Sequence, residues 1–279
     1  MTRSLLIYNE RSGSYDPALI AQIDALFADA GRPIGRRLAL GDEELPDAAS
    51  ARADELDLIV TLSGDGSMSA VADRLAGWDG TLLVLPGGTM NLLSRALHGE
   101  RMPPRIVEAY LGGEGAELNV PILRAGPLIA YTGMILGPTA AWGDVREDLR
   151  NLDVAALASN VPRALSATLN EPGVALEGRD IDYPAIFVEP SLAGIRAYGV
   201  LAGSAGELFG HGWAWLTGDF RNGPSESLGT APVMRFRSAG ARLDILVDGE
   251  KESAASPIEI SAGQSDVLFY AAQGEVGWR

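Results

Sequence analysis

The order of elements in this sequence predicts an α/β N-terminal domain, an open parallel sheet with Gly-rich phosphate loops, followed by a β-rich sandwich or barrel domain. Three observations carry that expectation. Apolar runs of strand length alternate with helical-period segments from Ser4 to about Gly99. Two of those runs end directly in glycine turns that open helices, at Ser63–Ser67 and Pro86–Asn91. Beyond about Glu117 the alternation gives way to short apolar runs set between Gly and Pro turns.

Ser4 to Asn9 reads as a first strand ending in the turn Arg11-Ser12-Gly13-Ser14. Asp16 then offers an N-cap and Pro17 a first helical residue, with Leu19, Ile20, Ile23, Leu26 and Phe27 at helical spacing up to Gly31. Arg36 to Leu40 is a second strand, and a short helical piece follows Pro46. Asp57 to Leu62 has the continuous apolar composition of a buried parallel strand and runs into Ser63-Gly64-Asp65-Gly66-Ser67. Met68, Val71, Ala72 and Leu75 keep helical spacing after that turn. Thr81 to Leu85 repeats the pattern and runs into Pro86-Gly87-Gly88-Thr89-Met90-Asn91, with Leu92, Leu93 and Leu97 on the next helix. In the second half the predicted strands are Asn119–Leu123, Leu128–Leu136, Pro184–Val188, Gly199–Ala202, Pro232–Arg237, Leu243–Val247, Ile258–Ser261 and Val267–Ala271. A helical stretch from about Asp144 to Leu169 interrupts them. The glycine cluster at Gly112, Gly113 and Gly115 sets the expected domains at 1–116 and 117–279, with the last strand able to return to the first domain.

Composition narrows the chemistry. The 279 residues include no Cys and only two His, and Lys251 is the one lysine among 22 basic residues. Thiolate metal sites, Cys nucleophiles and disulfides are therefore excluded. A Walker A loop needs Gly-Lys-Ser/Thr, and Lys251, followed by Glu252, does not provide it. A phosphate ligand would have to be held by backbone amides, arginine and hydroxyls. The net charge of −15 argues against nucleic acid and against a polybasic membrane anchor. No apolar run approaches a membrane span or a signal-peptide core, so the expectation is a cytoplasmic protein, for which any membrane contact would be peripheral, at the inner surface. The oligomeric state is left open, a homodimer included.

The two glycine turns carry the functional signal. A small-residue turn after a parallel strand lets backbone N–H groups approach an anion, and the helix that follows adds partial positive charge. Asp65 sits between two glycines, where it can reach a Mg²⁺ ion or a phosphate-bound water, and Thr89 and Asn91 add hydroxyl and amide donors. Neither turn has the Gly-x-Gly-x-x-Gly spacing of a dinucleotide site. Asp248-Gly249 after an apolar strand is by itself a hairpin signal.

Taken together these segments resemble the catalytic domains of the diacylglycerol kinase and sphingosine kinase family, in its bacterial form. Ser63-Gly64-Asp65-Gly66-Ser67 resembles that family's Gly-Gly-Asp-Gly-Thr, and Pro86-Gly87-Gly88-Thr89-Met90-Asn91 its Pro-x-Gly-Thr-x-Asn. Asn9-Glu10-Arg11-Ser12-Gly13 is similar to its Asn-Pro-x-Ser-Gly, and Asp248-Gly249-Glu250 to its Asp-Gly-Glu. The resemblance implies an ATP-dependent, Mg²⁺-requiring lipid kinase of phospholipid metabolism acting on a diacylglycerol-like or sphingoid alcohol. It implies that Asn9 and Arg11 contact nucleotide, that Gly64, Asp65, Gly66 and Ser67 wrap its phosphates with Asp65 tied to magnesium or water, and that Gly88, Thr89 and Asn91 face them. It makes Asp248 the general base, with Asp65 as its catalytic companion, and lets Glu250 help to hold nucleotide.

The pattern also departs from the family's. Ala70-Val71-Ala72-Asp73-Arg74 replaces Glu-Val-x-Asn-Gly, Leu92 replaces an Asp, and Glu10 replaces a Pro. Asp219 has no acidic neighbour to complete the paired aspartates of bacterial members. Two other readings stay open: a kinase of a soluble substrate similar to the NAD kinases, and a nucleotide- or lipid-binding relative without turnover. Among the remaining residues, His98 beside Gly99 is expected at a helix C-terminal cap. Core packing is favoured over a lipid pocket for the stretch Phe209 to Leu216, with His211, Trp213 and Trp215, and Trp142 shares that ambiguity. Arg146, Arg150 and Arg163 read as a solvated face.

Overall fold

The computed structural model describes residues 3–12, 15–137, 172–201, 225–273 and 278. The helical stretch expected near 144–169, Trp142 and the Phe209–Leu216 stretch lie outside them, as do Asp219 and Gly13. In chain order the first elements are β1 (Ser4–Tyr8), α1 (Pro17–Asp29), β2 (Arg36–Ala39), α2 (Ala48–Ala53), β3 (Leu58–Ser63), α3 (Asp65–Arg74), β4 (Thr81–Pro86), α4 (Leu92–His98), α5 (Pro103–Leu111) and β5 (Ala116–Leu118). Then follow β6 (Pro121–Ala125), β7 (Leu128–Ala130), β8 (Met134–Leu136), β9 (Val174–Leu176), β10 (Ile186–Ser191), β11 (Gly194–Val200) and β12 (Ser225–Ala231). The last are β13 (Val233–Ser238), β14 (Arg242–Val247), β15 (Glu250–Ala255), β16 (Ile258–Gln264) and β17 (Leu268–Ala271).

Two units divide the chain, Met1–Pro121 with Gln264–Arg279, and Ile122–Gly263. The first is built on a six-stranded sheet in the order β2-β1-β3-β4-β17-β5. β1, β2, β3, β4 and β17 run parallel and β5 closes the edge antiparallel to β17. Thus the segment from 117 to 121, expected with the second domain, belongs to the first unit, and the last strand returns to it as well: Phe269 pairs with Leu82 on one side and Leu118 on the other. The local caps match their sequence signals. Asp16 accepts from the Ala18 amide ahead of Pro17, and Asp47 forms a capping box with Ser50. Leu6, Val60, Leu83, Phe27 and Ile106 pack the face shared by α1 and α5.

His98 differs from the expected cap. Gly99 takes the left-handed position after α4 at φ +68°, while the His98 ring is fully buried. Its Nε2 lies 3.0 Å from the Val84 carbonyl and its Nδ1 accepts from the Ala272 amide at 3.3 Å, so the ring joins β4 to the returning C-terminal segment. The amide donor fixes the tautomer with the proton on Nε2. Burial pushes its pKa down from 6.5 to about 4, with the nearby Arg101 charge acting in the same direction and the Val84 hydrogen bond opposing it. The unfolded chain binds this proton near pH 6.5 and the folded chain does not, so His98 contributes full stability above 6.5 and loses it as pH falls toward 4. The contribution is on the order of 3 kcal/mol. Urea midpoints measured at pH 7.5 and 4.5 should therefore fall further for the wild type than for His98→Gln; parallel declines would refute this role.

In the second unit two antiparallel sheets form a sandwich, β12-β11-β10-β8-β14-β15 and β7-β6-β16-β13-β9. Met134, Leu136, Ile186, Val188, Ile195, Phe236, Ile245 and Ile260 fill the space between them. The single strand expected over Leu128–Leu136 is in fact two, β7 in one sheet and β8 in the other, and the chain changes sheets at Tyr131–Gly133. Strands β9, β12 and β15 have no counterpart in the sequence reading, and all three lie at sheet edges. An edge strand such as Glu250–Ala255, exposed along most of its length, needs no apolar alternation.

Candidate active site

In the first unit the chain leaves β1 toward β2 on one side and returns past β1 to β3 on the other. The crevice at the carboxyl ends of β1 and β3 is the topological switch point, where open α/β sheets bind ligands. Three predicted segments meet there: Asn9–Ser12 after β1, Ser63–Ser67 after β3, and Pro86–Asn91 after β4.

These turns are interlocked. The Asn9 amide donates to the Leu62 carbonyl, and the Asn9 side chain accepts from the Arg11 amide at 3.0 Å. Ser12 Oγ donates to the Gly87 carbonyl at 2.7 Å, joining the first turn to the third. The Gly87 amide donates in turn to Ser63 O. A Cβ on Gly88 would lie 2.5 Å from Gly64 Cα, and one on Gly87 2.5 Å from the Ser63 nitrogen. Glycine is thus required here by backbone-to-backbone contact between the loops.

Two residues expected at the ligand also hold the loops themselves. Asp65 is 7% exposed, and its Oδ1 accepts from the Leu93 amide at 3.1 Å, so the first residue of α3 caps α4. Asn91 sits in the left-handed region at φ +51° and folds back on Gly88: Oδ1 accepts from its amide at 2.7 Å and Nδ2 donates to its carbonyl at 2.8 Å. By contrast Gly66 and Ser67 are half-buried in the first turn of α3, and Thr89 is exposed. The Arg11 guanidinium lies beside Gly41 at the end of β2, where a Cβ would approach it to 3.7 Å. Unlike α1 and α2, α3 begins on a glycine with no side-chain cap, and it carries Asp65 in its first turn.

Asp248 and Glu250 belong to the second unit. Val247 pairs with Glu250, so Asp248 and Gly249 form a two-residue hairpin turn with φ +48° and +92°, the type I′ geometry that Asp-Gly favours. The hairpin signal and the site signal therefore fall on the same residue. Asp248 is buried, and its carboxylate accepts four hydrogen bonds from the segment where the chain changes sheets. Oδ2 takes the Tyr131 amide at 2.9 Å; Oδ1 takes the Thr132 amide at 2.8 Å, the Thr132 hydroxyl at 2.6 Å and the Gly133 amide at 3.1 Å. Glu250 and Lys251 are exposed at the start of β15. Sequence reasoning missed Ser12 as a tether although it stands inside a recognised motif, and missed Thr132, which carries no local signal at all. An open cavity of about 520 Å³ near Leu176, Leu228 and Met234 contains none of the expected site residues.

Among the described residues no cluster of three or more Asp, Glu or His can hold a metal. Asp65 stands in the first turn of α3, a place that fits Mg²⁺ arriving on phosphates, since that ion takes one or two protein carboxylates in such sites.

Residues 3–120 match the family model of the diacylglycerol kinase catalytic domain. Over that stretch the chain is similar to the diacylglycerol kinase catalytic domain. All three interlocked turns fall inside the matched residues, whereas Asp248 and Glu250 lie beyond them. The fold of the chain, with the β-rich unit included, is shared with solved structures from Bacillus anthracis str. Sterne. One, named as a candidate diacylglycerol kinase, has TM-score 0.64 and 19% identity over 96% of this chain and 97% of that one. Another, named as a diacylglycerol kinase, has TM-score 0.60 and 17% identity over 96% of both chains. At these identities the likeness is one of fold. No curated protein matches the sequence. No helix among the described residues is long and apolar enough to cross a membrane.

Proposed function

We propose that the chain is an ATP-dependent lipid kinase that transfers the γ-phosphate of Mg-ATP to the hydroxyl of a diacylglycerol-like or sphingoid lipid, reached by peripheral contact with the inner membrane surface. The observation that carries this reading is the junction at the ends of β1, β3 and β4, where glycine backbones meet beside the uncapped α3. Bound Mg-ATP supplies the transferable phosphoryl group and most of the charge neutralisation.

The protein's task is then placement. Asn9 and Arg11 hold the nucleotide from the β1 turn; Gly64, Gly66 and Ser67 present the α3 amides to its phosphates; Gly88, Thr89 and Asn91 form the opposite wall. Asp65 orients the metal while keeping α4 docked through Leu93. Asp248 accepts the proton of the lipid hydroxyl as its oxygen bonds to the γ-phosphorus and the bond to ADP breaks. Glu250 helps to hold nucleotide. Preformed loops of this kind cost no reorganisation when charge develops. The absence of a Walker lysine is no obstacle, because amide donors and magnesium meet the same charge.

Purified protein given γ-labelled ATP, Mg²⁺ and mixed micelles containing a short-chain diacylglycerol, sphingosine or monoacylglycerol should move label into lipid. Folded protein that labels none of them would overturn the proposal, as would a crystal structure with ADP bound away from Asn9, Asp65 and Thr89.

A further inference from the structure

We propose that Thr132 is a positioning residue that sets the Asp248 carboxylate for proton acceptance; the inference rests on the kinase reading above. Thr132 gives Asp248 Oδ1 two donors from one residue, its amide at 2.8 Å and its hydroxyl at 2.6 Å. Flanking amides from Tyr131 and Gly133 complete the cradle, one on each carboxylate oxygen. Successive N–H groups that converge in this way form a nest for an anion, and here the anion is the chain's own side chain.

The cradle is held rigidly. Tyr131 is 3% exposed, and a Cβ on Gly133 would lie 2.9 Å from both the Phe187 ring and the Val188 carbonyl, so this segment is pressed against β10. The Asp248 amide also donates to the Gly133 carbonyl at 3.0 Å, which fixes the hairpin turn to the same segment. The amides come from the backbone and would be supplied by any residue at these positions. Of these four donors the Thr132 hydroxyl is the one that depends on residue type, and threonine's β-branch restricts the χ1 rotation that aims it. Within this cradle Thr132 is thus a position at which the residue type acts on the orientation of Asp248.

Thr132→Val keeps the shape and removes the one donor. Its kcat for label transfer to lipid should fall ten- to hundredfold, the loss that accompanies a misplaced catalytic group. The KM for ATP should stay within about twofold, since the nucleotide contacts proposed here lie mainly on other loops. Thr132→Ser should recover most of the rate. A role confined to folding would lower the melting temperature and leave kcat intact well below it. If wild type transfers label and Asp248→Asn does not, but Thr132→Val keeps wild-type kcat, this inference is overturned while the kinase reading stands. If wild type transfers no label, the kinase reading itself fails, and the inference with it.

Discussion

Gly88→Ala is expected to lower stability by about 3 kcal/mol and to reduce phosphoryl transfer by more than about a hundredfold. The added methyl would stand 2.5 Å from Gly64 Cα, a backbone atom that no rotamer change can move aside. To relieve the clash the two loops must separate, which breaks the Asn91–Gly88 pair and moves the α3 N-terminus relative to the opposite wall. Gly113→Ala is the control. Gly113 has φ +72°, but a Cβ added there would meet nothing within 4 Å, so its cost is only the ~1 kcal/mol of a left-handed backbone. Chemical denaturation and nucleotide titration of both variants check this. A Gly88→Ala protein as stable as Gly113→Ala, with ATP affinity unchanged, would contradict the proposed contact between the loops.

Replacing the two aspartates should separate chemistry from folding, because their surroundings differ. Asp65→Asn keeps an oxygen for the Leu93 amide, so the fold should survive within about 1 kcal/mol while transfer drops by at least two orders of magnitude. Asp248→Asn is a different case. Asparagine tolerates the left-handed backbone at φ +48°, but its NH2 group must face an amide or hydroxyl donor whichever way it is turned. A stability loss of about 1–3 kcal/mol should therefore accompany the loss of transfer. Calorimetry beside the label-transfer assay distinguishes the two. Full activity in both variants would remove the proposed base and metal contact together, and an unchanged melting temperature in Asp248→Asn would show that the four donors do not hold the carboxylate in solution.

Several residues singled out by the sequence take a second role in the fold. Asp65 and Asn91, expected to touch ligand, each also fasten one glycine loop. Asp248 is expected either as a hairpin turn or as a catalytic group, and the geometry makes it the turn without excluding the chemistry. His98 is expected to cap a helix; its ring instead crosses from β4 to the returning strand. In each case the residue type and its position are legible, whereas the partner is not. Leu93 is 28 residues from Asp65, Thr132 is 116 from Asp248 and Ala272 is 174 from His98.

What the sequence determined by itself is what local forces decide. Asp16 and Pro17 start α1, Gly99 ends α4, Asp248-Gly249 turns a hairpin, and continuous apolar runs mark the buried parallel strands, because capping, φ preference and period act over a few residues. Even the lone lysine and missing cysteines set limits on chemistry that hold for any fold. Tertiary structure alone decided the rest. It placed β17 between β4 and β5, divided Leu128–Leu136 between two sheets, and paired the polar edge strands β12 with β11 and β15 with β14. These outcomes follow from burial and from hydrogen-bond satisfaction between segments far apart in the chain, and such pairings leave no periodic trace in either segment read alone.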